Sequence, residues 1–279
     1  MNNKLENLFN LDGKIIVITG ACGLLGQKHA EAIAAFGGTP VLLDLSQQDI
    51  DKVSIKIQNE YSVNASGLAV DITNEDEVAR SSSWAIEKYG KIDGLVNNAA
   101  NNPKVEKNRT KQFSRLENFP LDLWNTDIAV GLTGSFLCAK YYGNLISQNP
   151  NGGTIINISS DLGLIAPDQR LYKKPGDSES QQQPVKPITY SVIKSGLIGL
   201  TRYLSTYWNS NNVRSNAICP GGVENGQSEV FLKEVITRIP MGRLAQANEY
   251  QSTLIWMLSD ESSYLNGSIV AVDGVRTAW

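Results

Sequence analysis

Two side chains that can move a proton, Tyr190 and Lys194, lie four positions apart in the run Ile-Thr-Tyr-Ser-Val-Ile-Lys-Ser. Residues at this spacing share one face of an α-helix, so the ammonium can lie beside the phenol. A free phenol has a pKa near ~10, and a neighbouring cation lowers that pKa because it favours the phenolate. The pair therefore predicts a tyrosine that acts as acid and base, although an ordinary amphipathic helix also carries Tyr and Lys at this spacing.

A glycine-rich turn near the N-terminus predicts a phosphate-binding site. The apolar run Ile-Ile-Val-Ile-Thr indicates a strand, and Gly20, Gly23 and Gly26 follow it before a helical stretch. Glycines let backbone N–H groups approach a diphosphate, and the positive end of the following helix dipole points at it. The next strand ends in Asp44, at the interval typical of a carboxylate that hydrogen-bonds the ribose hydroxyls of a dinucleotide. An ionised Asp44 would repel a 2′-phosphate, so we predict NAD(H) rather than NADP(H).

Apolar β-rich runs alternate with longer amphipathic stretches along the chain, which is the pattern of βαβ units that build a parallel sheet. The 279 residues contain no linker rich in Pro, Gly or Ser. We therefore expect one α/β domain over residues 1–279, with the longest helices at 121–148 and 189–208. The expected strands lie near 14–19, 40–44, 66–70, 92–96, 153–159, 213–219 and 267–272.

Bulk properties exclude several classes of function. A net charge of −3 argues against nucleic acid as the main partner, and no apolar run approaches the roughly 18 residues of a membrane span. The N-terminus lacks the apolar core of a secretory signal, so we expect a cytoplasmic protein with a small-molecule substrate. His29 is the only histidine, which excludes a Ser-His-Asp hydrolase. The cysteines Cys22, Cys138 and Cys219 have no zinc-binding spacing, and we expect no metal.

Further motifs extend these observations along the chain. They are Asp71 after a strand, Asn-Asn-Ala-Ala at 97–100, Ser-Ser at 159–160, Pro-Gly-Gly-Val at 220–223 and Val-Asp-Gly at 272–274. Together the motifs resemble those of the short-chain dehydrogenase/reductase family in its short form. The run from 159 to 172 is also similar to a bacterial branch linked to flagellin modification and nonulosonate sugars. The resemblance implies a doubly wound Rossmann fold with seven parallel strands in the order 3-2-1-4-5-6-7 and helices on both faces.

The resemblance also implies an activity, the interconversion of a secondary alcohol and a ketone at a CH–OH group with NAD as cofactor. Tyr190 would donate or accept the proton, Ser160 would orient the substrate oxygen, and Lys194 would hold the nicotinamide ribose and tune the phenol. Members of the family are usually homotetramers or homodimers, and the helices at 121–148 and 189–208 would join the subunits.

The resemblance assigns the cofactor residues as well. Asp71 would contact the adenine, Asn97 the adenosine side, and the backbone of Val223 the carboxamide. The complete set of expected cofactor residues is Gly20, Cys22, Gly23, Leu24, Leu25, Gly26, Asp44, Asp71, Ile72, Asn98, Ala99, Lys194, Pro220, Gly221, Val223 and Asn225.

Two departures from the family pattern keep other functions open. Gly131 stands where the family usually has an asparagine that bends a helix and anchors a water leading to the lysine. Its absence favours a rival hypothesis, a dinucleotide-binding regulatory protein that has lost catalysis. The turn itself reads Gly-x-x-Gly-x-x-Gly, which is closer to the sugar-nucleotide epimerase and dehydratase branch. That branch needs a substantial C-terminal substrate domain, and too few residues follow Pro220 to form one.

A third departure is an insertion at about 166–187, because 30 positions separate Ser160 from Tyr190. Both of its ends lie beside catalytic residues, so we expect it to cover the substrate pocket or a subunit boundary near it. A second loop, 101–118, carries five basic residues against two acidic ones: Lys104, Lys107, Arg109, Lys111 and Arg115. This charge predicts an anionic, polyhydroxylated substrate, namely a sugar phosphate, nucleotide sugar or sugar acid. We expect Arg109, Arg170 and Tyr172 to contact it.

Overall fold

The computed structural model describes residues 8–101, 114–173 and 183–279. Its seven strands form one parallel sheet in the order β3-β2-β1-β4-β5-β6-β7, which confirms the predicted order. The strands are β1 (Ile15–Thr19), β2 (Thr39–Asp44), β3 (Ser66–Ala69), β4 (Gly94–Asn97), β5 (Gly153–Ile158), β6 (Val213–Pro220) and β7 (Ile269–Val272). The α-helices are α1 (Leu24–Ala35), α2 (Gln47–Tyr61), α3 (Glu75–Tyr89), α4 (Leu121–Ile128), α5 (Gly134–Cys138), α6 (Asn144–Ile146), α7 (Ile188–Tyr207), α8 (Glu229–Ile236) and α9 (Gln251–Leu258).

Strand β1 lies in the middle of the sheet and shows why the core forms. All five of its residues are buried, as expected for a parallel strand that is covered on both faces. Because side chains alternate along a strand, Ile16 and Ile18 pack with α1, α2 and α9. The residue between them, Val17, packs on the opposite face with α3, α5 and α7. The two apolar layers hold the sheet between them, and the sheet in turn positions the carboxyl ends of its strands.

The long helical region predicted at 121–148 consists of α4, α5 and α6 joined by two π-helical stretches, Ala129–Thr133 and Ala139–Gly143. Gly131 lies in the first of these stretches, beside α7. A Cβ atom on Gly131 would come within 2.6 Å of Cγ2 of Ile193. The glycine therefore allows α7 to approach closely, and Ile193 fills the space that an asparagine side chain would need.

The carboxyl ends of the strands lie at one edge of the sheet, and the turns that follow them form the site. Gly20 follows β1 with φ at 61°, a conformation that a glycine adopts without strain. Ser46 caps α2 after β2, since its side chain accepts a hydrogen bond from the Asp49 N–H. Across the three described ranges, no helix has both the length and the apolar content that a membrane span requires.

Candidate active site

A cavity of about 1610 Å³ opens at the carboxyl edge of the sheet. The structure brings the three predicted catalytic residues together here, since Ser160, Tyr190 and Lys194 all line it. The other predicted cofactor residues also line the same cavity: Gly20, Cys22, Gly23, Leu24, Leu25, Gly26, Asp44, Asp71, Ile72, Asn98, Ala99, Pro220, Gly221, Val223 and Asn225. In the following, the cofactor end is the part formed by Gly20–Gly26, Asp44 and Asp71, and the substrate end is the part around Ser160 and Tyr190.

The glycine turn at the cofactor end leaves no room for larger side chains. A Cβ atom on Gly26 would lie 2.1 Å from the carbonyl oxygen of Gly20, and one on Gly20 would lie 2.8 Å from Cα of Ala99. Helix α1 begins directly after Gly23, with no side-chain cap and no acidic residue in its first turn. The first N–H groups of a helix favour an anion. The turn therefore fits the diphosphate of a dinucleotide.

Asp44 lies at the end of β2 and faces the cofactor end of the cavity. Its Oδ2 accepts a hydrogen bond from the Cys22 N–H, and its Oδ1 accepts one from the Leu45 N–H, both at 2.8 Å. These two contacts fix the carboxylate plane, and each oxygen keeps a further lone pair for a hydroxyl group. A second carboxylate, Asp49, lines the same end. The Asp49 carboxylate is itself paired with the Lys52 ammonium at 3.0 Å.

Tyr190 lies in the first turn of α7 and lines the cavity together with Ser160. Burial raises the pKa of Tyr190 above its ordinary value, the nearby Ser160 hydroxyl opposes that rise, and the charge of Asp161 adds to it. The sequence predicted that the neighbouring ammonium lowers this pKa. That prediction was wrong for the net shift, because the removal of the phenol from water is its largest cause.

Lys194 lies one helical turn beyond Tyr190 and is 4% exposed. Its Nζ donates a hydrogen bond to the carbonyl oxygen of Ile158 at 2.8 Å and lies 5.7 Å from the centre of the Tyr190 ring. Burial lowers the pKa of Lys194 to about 8, and the nearby charge of Lys186 acts in the same direction. The buried ammonium is thus held between the end of β5 and the phenol, facing the cavity.

A buried chain of polar contacts leads from Ser160 to the C-terminal segment. The Ser160 hydroxyl donates to Oδ1 of Asp161 at 2.7 Å, and Nη1 of Arg276 donates to Oδ2 of Asp161 at 2.6 Å. Asp161 and Arg276 are both largely buried, and both line the cavity. The serine hydrogen points at a carboxylate and one lone pair of Ser160 accepts from the Leu162 N–H at 3.2 Å, so the other lone pair is left to accept a hydrogen bond. The polarity of the chain therefore favours a protonated Tyr190.

The backbone next to Arg276 is strained. Val275 has a φ of 75°, which is unfavourable for a β-branched residue. The turn is held by Asp273, whose carboxylate accepts hydrogen bonds from the N–H groups of Val275 and Thr277 at 3.0 and 2.8 Å. These contacts fix the direction in which the Arg276 side chain enters the cavity.

The described parts of the insertion line the substrate end, as the sequence predicted. Leu171 and Tyr172 pack against α8, in a cluster with Phe231 and Val235. Asp168 ties the insertion to the residues after α8, because its Oδ2 accepts a hydrogen bond from Nε of Arg238 at 2.7 Å. The cavity lining includes Pro167, Asp168, Leu171, Tyr172, Lys173, Pro184, Lys186 and Pro187.

Two residues predicted to line the site lie elsewhere, and a third is not described. Arg170 is not part of the cavity wall: its side chain is 82% exposed and pairs with Asp168, two residues earlier. Asn97 is buried in the core, where its Nδ2 donates to Oδ1 of Asn157, and Asn98 faces the cavity in its place. Arg109 and residues 174–182 lie outside the described residues.

Three charged residues of the substrate end were missed from the sequence, namely Lys186, Asp161 and Arg276. Lys186 lies four positions before Tyr190, but α7 begins only at Ile188, so helical spacing does not relate the two residues. Asp161 and Arg276 lie 115 positions apart, and no local pattern relates them.

Comparison with known proteins identifies the family. The family model described as short chain dehydrogenase matches residues 14–172, and the model described as enoyl-(acyl carrier protein) reductase matches residues 178–274. The chain belongs to the short-chain dehydrogenase family. It is therefore an oxidoreductase that acts on CH–OH groups, with a nucleotide-binding fold for NAD(P).

Individual short-chain dehydrogenases resemble the chain along almost its whole length. It is 30% identical to trans-4-hydroxycyclohexanecarboxylate dehydrogenase of Sinomonas cyclohexanicum, over 95% of this chain and 93% of the relative. It is 28% identical to post-translational flagellin modification protein A of Campylobacter coli, over 94% and 98% of the two chains. The structure of NAD⁺-bound xylitol dehydrogenase superimposes with a TM-score of 0.81 at 25% identity, over 95% of this chain and 99% of that one.

Proposed function

We propose that this short-chain dehydrogenase catalyses the reversible, NAD(H)-dependent conversion of a secondary alcohol to a ketone on an anionic carbohydrate. The observation that carries the proposal is a single cavity whose wall holds the Ser160 hydroxyl, the Tyr190 phenol, the Lys194 ammonium and the glycine turn. This arrangement provides a proton acceptor, a group that orients the substrate oxygen, and a phosphate cradle.

When NAD⁺ is bound, it supplies the hydride acceptor for the carbinol carbon. In the oxidation, Tyr190 as phenolate accepts the proton of the substrate hydroxyl, and Ser160 holds the substrate oxygen in place. Lys194 stabilises the phenolate, since its ammonium lies beside the ring in a site of low polarity. In the reduction, Tyr190 returns the proton to the oxygen. The raised pKa of Tyr190 keeps the phenol protonated in the resting site, so the proton that the reduction needs is in place.

The choice of NAD over NADP is supported by the distribution of charge along the cavity. Asp44 and Asp49 lie at the cofactor end. Every basic side chain among the described lining residues belongs to the insertion, α7 or the C-terminal segment: Lys173, Lys186, Lys194 and Arg276. A 2′-phosphate at the cofactor end would therefore face the Asp44 carboxylate, with no basic side chain of the described cavity lining beside it.

The same distribution supports an anionic substrate, since the basic side chains gather where the reacting alcohol would bind. The names of two relatives agree with this substrate class, because one gives a hydroxy carboxylate and the other a polyol, xylitol. The proposal of an anionic substrate does not depend on Arg109 or Arg170, which were predicted to contact it. We therefore favour a sugar acid among the anionic carbohydrates considered.

The proposal can be tested with a matched panel of alditols and aldonates, offered with NAD⁺ and NADP⁺ while the reduced cofactor is followed by absorbance. We expect turnover with NAD⁺ and a preference for aldonates. Tyr190→Phe should lower kcat by about 10²–10⁴-fold while NADH still binds, measured by its fluorescence. Tyr172→Phe is the matched control for a second phenol on the cavity wall, and its loss should be much smaller. Undiminished turnover by Tyr190→Phe would refute the chemistry, and a preference for NADP⁺ would refute the role of Asp44.

We further propose that α5 and α7 join subunits in a homodimer or homotetramer. Both helices expose apolar side chains, among them Phe136, Val192, Tyr203 and Tyr207. An apolar patch of this kind is costly to leave in water. Light scattering of the purified protein should give a dimer or tetramer, and Phe136→Glu should shift it toward the monomer. A monomeric parent protein would contradict the proposal.

A further inference from the structure

Lys186 occupies an unusual position for a residue that lies outside any helix or strand. It precedes α7 by two residues and belongs to the second described part of the insertion. Its Nζ lies 3.8 Å from the centre of the Tyr190 ring, closer than the Nζ of Lys194 at 5.7 Å. The insertion thus brings a second ammonium against the face of the catalytic phenol.

The backbone around Lys186 is fixed from both sides. Pro184 and Pro187 flank it, and prolines restrict the conformations open to their neighbours. The Lys186 N–H donates to Oε1 of Gln169 at 2.8 Å, and the Val185 N–H donates to the hydroxyl of Ser114 at 3.1 Å. The side chain therefore starts from a defined point on the cavity wall, which reduces the conformational entropy lost when a ligand binds.

The electrostatic surroundings of Lys186 favour an anion. Burial lowers the pKa of Lys186 to about 8, because the ammonium is partly removed from water, and the nearby Asp161 acts in the opposite direction. Asp161 is itself paired with Arg276 at 2.6 Å, and the buried Lys194 adds a further positive charge. In a partly desolvated cavity, a charge-assisted hydrogen bond to a carboxylate is stronger than in water.

We propose that Lys186 binds a carboxylate of the substrate and holds it close to the reacting carbinol. The position of the carboxylate follows from the geometry. In the proposed reaction the hydroxyl of Tyr190 contacts the reacting oxygen, and the Lys186 ammonium lies over the ring that carries this hydroxyl. A carboxylate at the far end of a long carbon chain would not reach it. The inference rests on the proposed function and narrows it to hydroxy acids whose carboxylate and secondary alcohol are near each other.

The test compares a short hydroxy acid with its own carboxamide, which has nearly the same shape and no charge. Both are offered with NAD⁺ to the parent protein, Lys186→Gln, Lys186→Arg and Lys233→Gln. Lys186→Gln should raise KM for the acid by roughly 10–100-fold, as expected for the loss of a hydrogen bond to a charged group, and should change KM for the amide by less than about threefold. Lys186→Arg should retain most of the preference for the acid.

Lys233→Gln is the matched control, because it removes the same charge from an exposed lysine of α8 that does not line the cavity. It should leave both KM values nearly unchanged. NADH affinity, measured by fluorescence, should be unaltered in every variant, which shows that the fold and the cofactor end are intact.

Two results would overturn the inference in distinguishable ways. If Lys186→Gln lowers turnover of acid and amide equally, Lys186 acts on Tyr190 alone and binds no carboxylate, while the proposed function stands. If the parent protein oxidises neutral alcohols but neither turns over hydroxy acids nor binds them in its NADH complex, the proposed anionic substrate class is itself wrong.

Discussion

At the cofactor end of the cavity, the residues come from short segments at the ends of β1, β2 and β4 and after β3, each close in sequence to the strand that positions it. At the substrate end, Lys186 comes from an insertion, and Arg276 comes from the C-terminal segment that follows β7. The cofactor end therefore depends mainly on the sheet. The substrate end depends on tertiary contacts such as Asp161 with Arg276 and Asp168 with Arg238. Changes at the two ends should consequently have separable effects on cofactor and substrate.

The largest expected effect concerns His29 in α1, the helix that follows the glycine turn. His29 is 1% exposed, and its Nδ1 has no hydrogen-bond partner within the part of the chain that the structure describes. Burial lowers its pKa to about 4 from an ordinary value of 6.5. Below pH 6.5 the unfolded chain gains a proton that the folded chain does not. Stability should thus fall between pH 6.5 and pH 4, by roughly 3 kcal/mol at most.

His29→Leu should remove this contribution, so the free energy of unfolding should depend less on pH in the acid range. Urea unfolding at several pH values between 7 and 4, for the parent and the variant, measures the difference. Parallel curves for the two proteins would show that His29 does not limit stability in acid.

The next effect is on cofactor affinity. Asp44→Ala should raise KM for NAD⁺ by roughly 10–100-fold, because hydrogen bonds to a charged group are lost. It should also reduce discrimination against NADP⁺, since a negative charge is removed. Asp49→Ala is the matched control: its carboxylate pairs with Lys52 at 3.0 Å and should matter less. KM for the alcohol should change little in either variant, and a comparable rise in both Michaelis constants would contradict the separation of the two ends.

A smaller effect is expected at Gly131, on the side of the cavity where α7 packs. Gly131→Asn restores the usual residue of the family but overpacks against Ile193, which should cost about 1–3 kcal/mol of stability. Combining it with Ile193→Ala should recover part of this loss. Gly199→Ala is the matched control within α7, since a Cβ atom there meets no atom within 4 Å. It should maintain or raise Tm, and an equal fall in Tm for both glycine variants would refute the packing argument.

The smallest expected effect is on the pH dependence of turnover. Asp161 raises the pKa of Tyr190, so Asp161→Asn should let the phenolate form at lower pH. The rising limb of kcat for alcohol oxidation should therefore move to lower pH. Asp168→Asn removes another carboxylate from the same cavity wall and should not move the rising limb of kcat. An unchanged profile in Asp161→Asn would mean that the carboxylate does not influence the phenol.

The sheet and the cofactor end could be predicted because their information is local. The buried run of β1, the glycines after it and Asp44 after β2 each define their surroundings within a few positions. Asn97 was misassigned because Asn97 and Asn98 are adjacent and point to opposite faces of the sheet, one into the core and the other into the cavity. Only the register of β4 decides between them.

The substrate end was harder to predict because its charges are placed by long-range contacts. Arg170 has the residue type expected of an anion-binding group, yet Asp168 lies two residues away and pairs with it outside the cavity. Lys186 lies in a segment without regular structure, so no helical or strand period places it against Tyr190. The sequence correctly indicated that the described parts of the insertion line the pocket, because both ends of the insertion are tied to catalytic residues.

The strained turn at Val275 has a consequence for how this enzyme could change over time. A relaxed turn would remove a conformational cost on the order of 1–3 kcal/mol and would release the arginine that holds the Ser160–Asp161 pair. Selection for heat resistance alone would then favour variants with a loosened tail and a poorly oriented serine. Keeping valine in this conformation is expected only where catalysis is under selection as well.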